Sequence, residues 1–200
     1  MITLVLATTN QGKLAELRAL LGDLAVQVIG MLEAVPAGFS VEETGVTFEE
    51  NALLKARAVC LASGLTTIAD DSGLEVKALG GRPGVRSRRF AHEHATDEEN
   101  NAALLRELQE ASDRTARFRC VLALVTPFEA EVITVEGACE GSILRAPRGS
   151  GGFGYDPLFL LPGPQGRAMA ELTRAEKNAV SHRARAVLAL RPPLMRLLTG

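Results

Sequence analysis

The chain reads as an α/β protein built on a mixed sheet flanked by helices, and three observations predict this. A nearly continuous apolar run, Ile2-Thr3-Leu4-Val5-Leu6-Ala7, precedes a segment with Leu14, Leu17 and Leu21 at i, i+3 and i+7, and a second apolar run follows at Val26 to Met31. That is a β-α-β opening whose first strand lacks polar alternation and is therefore buried on both faces. Two long strand candidates, Ala116 to Thr126 and Ala130 to Glu140, are joined by only Pro127-Phe128-Glu129, which predicts an antiparallel hairpin. Three Thr-x-x-Glu capping boxes, Thr47/Glu50, Thr96/Glu99 and Thr173/Glu176, announce helix starts.

The elements follow in order. After the polar segment Thr8 to Lys13 comes the first helix, then the second strand and a Gly/Pro-containing loop ending in Glu42-Glu43-Thr44-Gly45. Thr47 opens a helix to about Ser63 with a core face of Phe48, Ala52, Ala56, Val59 and Cys60. Thr66 to Ala69 is a short strand running into Asp70-Asp71-Ser72-Gly73, and Leu74 to Val76 could continue it beyond the glycine. Gly80 to Gly84 is a loop. Thr96 opens a helix to about Glu110, and Gly149 to Pro157 is a glycine-rich loop. Asn178 to Leu190 reads as a helix that Pro192-Pro193 breaks before a short terminal helix.

Two hundred residues, 46% apolar and 23% charged, suit a single soluble domain spanning 1–200, with or without two lobes. A net charge of −2 gives no global electrostatic reason to bind nucleic acid or a membrane. The N-terminal run is too short for a signal peptide, and no apolar stretch approaches the ~20 residues needed to cross a bilayer. Cys60, Cys120 and Cys139 are odd in number and widely spaced, which predicts buried free thiols and a cytoplasmic protein.

Four constellations carry chemistry. Thr8-Thr9-Asn10-Gln11-Gly12-Lys13, between a strand and a helix, offers hydroxyls, amides and a cation suited to phosphate, although it is no Walker A loop and could equally be a polar turn capped by Asn10. Glu42-Glu43 and Asp70-Asp71 could each give one carboxylate to Mg²⁺, which takes few protein ligands when it binds with a nucleotide. Gly151-Gly152-Phe153-Gly154-Tyr155-Asp156-Pro157 places two of the eight aromatic residues among glycines, where an exposed ring could stack on a base. Lys177 with His182 and Arg183 could meet phosphate and read a base edge, or form the polar face of an ordinary helix. Arg82, Arg86, Arg88 and Arg89 read mainly as solvated loop arginines. No nucleophile elbow, dinucleotide fingerprint or zinc-ligand spacing is present.

Taken in order, LATTNQGKLAEL, EETGVTFEENALLKA, IADDSGLEV, GGRPGV, GGFGYDPLF and AELTRAEKNAVSHR resemble the inosine triphosphate pyrophosphatase family, in its bacterial branch acting on deaminated purine nucleotides. The match runs from residue 4 to residue 183. The resemblance implies an elongated mixed α/β sheet with two lobes around a nucleotide-binding cleft, usually a homodimer. It implies Mg²⁺-dependent hydrolysis of ITP, dITP and XTP to monophosphate and pyrophosphate, cleansing the nucleotide pool. By motif position, Thr8, Thr9, Asn10, Gln11, Gly12 and Lys13 would hold substrate phosphates. Asp71 would be proton acceptor and Mg²⁺ ligand, Glu42 the second metal contact with Glu43 the alternative, and Ser72 a substrate contact. Phe153, Gly154, Tyr155, Asp156, Lys177, His182 and Arg183 would supply the other substrate contacts, base recognition included. Arg88 and Thr9 depart from the family pattern, which more often has a small residue and a glycine there.

Overall fold

The computed structural model describes residues 2–127, 132–163 and 166–199. Six strands form one sheet in the order β2-β1-β3-β4-β5-β6. β1 (Ile2–Leu6) pairs in parallel with β2 (Val26–Gly30), Ile2 opposite Val26, and with β3 (Thr67–Val76), Leu6 opposite Ile68. β4 (Thr115–Val125) lies beside β5 (Val132–Ile143), and the Ile143 N–H donates to the Arg114 carbonyl, which sets the end of β5 beside the start of β4. This is the antiparallel arrangement expected, although most of the predicted connection lies outside the described residues. β6 (Phe159–Leu160) is antiparallel to β5. The sheet is therefore mixed.

Helix starts follow the caps. Asn10 caps α1 (Gln11–Leu21), its Oδ1 accepting from the Lys13 N–H at 3.0 Å. A single turn, α2 (Met31–Ala34), begins where the second strand was expected to end. Thr47, Thr96 and Thr173 form the predicted capping boxes of α3 (Phe48–Ser63), α4 (Asp97–Glu107) and α5 (Arg174–Val180). All five residues of the predicted α3 core face are buried.

One open reading is settled and two expectations need correction. β3 is one continuous ten-residue strand: Leu74 to Val76 do continue it beyond the glycine, with Asp70, Asp71, Ser72 and Gly73 inside it. The predicted helix 178–190 is in fact two helices, because Ser181 is extended (φ −68°, ψ 158°) between α5 and α6 (His182–Thr199). The prolines do not break α6, which continues through Pro192 and Pro193. Ala186, Val187, Leu190 and Leu194 on that helix are buried in one apolar cluster, and that packing outweighs the backbone bonds the prolines forfeit.

The chain divides into two compact units. The first comprises residues 1–71, 120–137 and 183–200, the second 72–119 and 138–182. The first packs Leu4, Leu6, Leu17, Ile68, Leu122 and Leu124 with the apolar faces of α1 and α6. The second has its own core around Leu74, Leu104, Phe118, Tyr155, Phe159 and Met169. Cys60, Cys120 and Cys139 are buried and free, as predicted. Among the described residues no helix is long and apolar enough to cross a membrane.

Candidate active site

In the first unit the β1–α1 connection presents the predicted phosphate segment. Thr8 Oγ1 accepts from the Asn10 N–H at 3.1 Å, and Asn10 in turn caps the helix, so both side chains shape the loop. Thr9 and Gln11 are exposed, and Gly12 is half-buried in the first turn of α1. No acidic residue occupies that turn, which leaves the positive end of the helix unopposed locally.

Lys13 reaches inward, its Nζ 2.6 Å from Asp70 Oδ1. The other Asp70 oxygen accepts from Arg183 Nε at 2.7 Å and from the Cys120 thiol at 3.2 Å. Arg183 also pairs with Glu16 of α1. Two cations and two carboxylates thus balance in a buried network, as buried charge requires. Burial works against the charged form of Asp70, yet Arg183 and Lys13 outweigh it and hold the carboxyl well below the usual carboxylate range. Burial also pushes the Cys120 thiol well up, reinforced by the Asp70 charge.

Asp71, one residue on, has different partners, as strand alternation dictates. Its Oδ1 accepts from Lys55 Nζ at 2.8 Å, and Oδ2 is buried with no hydrogen-bond partner among the described residues. Burial raises its carboxyl to about 6 despite the nearby charges of Lys55 and Lys13. Lys55 also donates to Glu43 at 3.3 Å, and both Glu42 and Glu43 are exposed. One lysine thus faces two acidic side chains, with Glu42 beside Glu43 in sequence. An orphaned buried carboxylate oxygen in such surroundings fits a hard divalent cation such as Mg²⁺. Among the described residues no three His, Cys, Asp or Glu side chains gather into a complete cage. Mg²⁺ does not need one where water and phosphate fill the octahedron.

The second unit holds Ser72, half-buried on β3, and the glycine-rich loop. Asp156 organises that loop. Its Oδ2 accepts from the Phe153 N–H at 2.9 Å and from Lys177 Nζ, and the Lys177 ammonium lies 4.6 Å from the Phe153 ring centroid. Gly152 has φ +75°, and a Cβ there would fall 2.0 Å from Asp156 Oδ2, so the carboxylate occupies the space a side chain would need. Gly154 is fixed at both ends, its N–H donating to Asp97 and its carbonyl accepting from Asn101 Nδ2 at 2.9 Å. Tyr155, expected to be exposed, is instead a core residue whose hydroxyl donates to the Ser87 carbonyl at 2.8 Å. Burial pushes its phenol further up. His182 stacks on Phe118 with ring centroids 4.8 Å apart.

A sequence profile of the Ham1 family matches residues 4–192. This chain belongs to the Ham1 family. A dITP/XTP pyrophosphatase of Nitratidesulfovibrio vulgaris is 53% identical to it, covering 94% of this chain and 93% of the relative. One from Geobacter sulfurreducens is 50% identical, covering 97% of each. The solved HAM1 protein of Coxiella burnetii superimposes with a TM-score of 0.87 at 46% identity, covering 98% of this chain and all of that one.

Within this Ham1 protein, the sequence-predicted residues fall into three local groups. Lys13 joins Asp70 and Arg183, Asp71 joins Lys55 and Glu43, and Phe153 joins Asp156 and Lys177. Arg183, expected to read a base edge, is 1% exposed and ion-paired on both sides. Sequence reasoning passed over Glu16, Asp97 and Asn101, and gave Lys55 no role. Glu16 had one signal, a carboxylate beside Leu17 on the apolar stripe of α1. Asp97 and Asn101 had none, since their partner Gly154 lies more than fifty residues away in sequence. Arg82, Arg86 and Arg88 are exposed, Arg82 pairing with Glu107, and the half-buried Arg89 pairs with Glu93.

Proposed function

We propose that this chain hydrolyses deaminated purine nucleoside triphosphates (ITP, dITP and XTP) to the monophosphate and pyrophosphate, with Mg²⁺, as a cytoplasmic homodimer that cleanses the nucleotide pool. Its relatives of about half identity over nearly their whole length carry the name dITP/XTP pyrophosphatase, which makes it an enzyme and a hydrolase of triphosphate anhydrides. The observation that carries the mechanism is Asp71, a buried carboxylate with one oxygen held by Lys55 and the other without a partner.

Lys13 and the backbone amides at the start of α1 bind phosphate oxygens. Lys13 has three ammonium hydrogens and meets Asp70, so it can keep that contact while donating to phosphate. Asp71 and Glu42 are the residues that would hold Mg²⁺, which when bound neutralises the polyphosphate and eases departure of pyrophosphate. Asp71 takes the proton of the attacking water as the new bond to the α-phosphorus forms and the α–β bridging bond breaks, its electron pair leaving with pyrophosphate. Positioning and charge supply most of the acceleration. Ser72 supplies a further contact to substrate. Phe153 offers a ring face to the purine, with Gly154, Tyr155, Asp156, Lys177 and His182 shaping the base contacts. Donors that pair with a 6-oxo group are left unsatisfied by the 6-amino group of adenine, which disfavours ATP.

The test is pyrophosphate release from ITP, XTP, ATP, GTP and dTTP at equal concentration with Mg²⁺. We expect ITP and XTP to exceed the other three at least tenfold in kcat/KM. Equal or lower turnover of ITP and XTP contradicts the substrate assignment, and a preference for dTTP would reassign the enzyme to pyrimidine nucleotides.

A further inference from the structure

We propose that Lys55 is a positioning residue for the proton-accepting carboxylate, holding Asp71 in one orientation and removing Glu43 from competition for the metal, and that it does not itself bind phosphate. The inference rests on the pyrophosphatase reading given above. Lys55 Nζ has three acceptors, Asp71 Oδ1 at 2.8 Å, the Asp70 carbonyl at 2.9 Å and Glu43 Oε2 at 3.3 Å. An ammonium has three hydrogens, and here each has a protein acceptor. Lys13 meets Asp70 and keeps hydrogens for a ligand, so the two lysines divide the work. One serves substrate and the other serves Asp71.

Lys55 is well placed for this because α3 is anchored beneath it. Asn51, Ala52, Ala56 and Val59 are buried around the same helix, and the Lys55 side chain is only 11% exposed. A second tie from α3 fixes the acidic loop independently. Asn51 Oδ1 accepts from the Gly45 N–H at 2.8 Å while its Nδ2 donates to the Gly45 carbonyl at 3.2 Å. A Cβ on Gly45 would fall 2.6 Å from Asn51 Oδ1, so the close approach requires glycine. The segment carrying Glu42 and Glu43 therefore hangs from α3 at two points, and Lys55 links one of them to Asp71. The consequence is directional: Asp71 is left with Oδ2, and the acidic pair is left with Glu42.

Lys55→Met and Lys55→Arg separate positioning from phosphate binding. Arginine keeps the charge but presents a planar fork, which cannot reproduce three bonds from one nitrogen. We expect kcat on ITP at saturating Mg²⁺ to fall at least tenfold in both variants, with KM for ITP within threefold of the parent. Mn²⁺ binding without nucleotide, read by electron paramagnetic resonance, should tighten at least fivefold in Lys55→Met, where a cation beside Asp71 is gone. It should stay within twofold in Lys55→Arg. A tenfold rise in KM with kcat preserved in Lys55→Met, reversed by arginine, assigns Lys55 to phosphate and overturns the proposal. Full turnover in Lys55→Arg also overturns it, and that variant carries the test if Lys55→Met does not fold. Should the parent protein prefer another triphosphate, the same split is measured on that nucleotide, and only the substrate assignment fails.

Discussion

Asp70 and Asp71 are neighbours on one strand and both are buried, yet the structure treats them in opposite ways. Asp70 is saturated: Lys13 takes one oxygen, and Arg183 with Cys120 takes the other. Asp71 is half-satisfied, with Lys55 on one oxygen and no partner on the other. A carboxylate with both oxygens engaged contributes to the frame, whereas one with a free oxygen can take a ligand or a proton. The difference separates scaffold from chemistry more sharply than the identical residue types suggest.

The comparison breaks most visibly on stability. Asp70→Asn leaves Lys13 and Arg183 with Glu16 as the one remaining carboxylate of the network described above, and breaking a buried ion pair from one side costs about 3–5 kcal/mol. Thermal melting should show a fall on the order of 10 °C for a chain of this length. A fall of only a degree or two would mean that Asp70 is no keystone. In the second unit, Lys177→Met removes the cation from Asp156 and from the Phe153 ring. That loop should loosen and KM for ITP should rise about tenfold, equivalent to roughly 1.4 kcal/mol, with kcat less affected in steady-state kinetics.

Acid titration sharpens the contrast further. The folded-state value of Asp70 lies below its ordinary 3.8, so its stabilisation is complete above that value and is lost as pH falls through the lower, folded-state one. Chemical denaturation between pH 5 and pH 2 should show this loss in the parent protein and a flatter curve in Asp70→Asn. The smallest effect belongs to the surface. Arg82 pairs with Glu107 and lies over Phe90, but it is more than half exposed, and Arg82→Ala should change stability by no more than about 0.5 kcal/mol in the same assay.

How much of this was legible in the sequence depended on whether its cause was local. The opening β-α-β unit and the starts of α3 and α4 were readable because apolar spacing and Thr-x-x-Glu caps act within a few residues. β3 was not readable through Asp70-Asp71-Ser72-Gly73, because two adjacent acids disrupt a strand pattern unless distant cations compensate them. Arg183, which compensates Asp70, is 113 residues away in sequence. The passage of α6 through Pro192-Pro193 was hidden for a similar reason, since burial of Leu190 and Leu194 decides it. The candidate site was legible as motifs but not as partnerships. Nothing in the sequence indicated that Arg183 would be ion-paired on both sides, that Tyr155 would turn into the core, or that Lys55 would meet Asp71 and Glu43 together.

The most direct measurement is turnover of ITP by Asp71→Asn, followed as pyrophosphate release at saturating nucleotide and Mg²⁺. If Asp71 is the proton acceptor, kcat falls by about 10²–10⁴-fold in a folded protein that still binds nucleotide. Turnover within a fewfold of the parent would contradict that role.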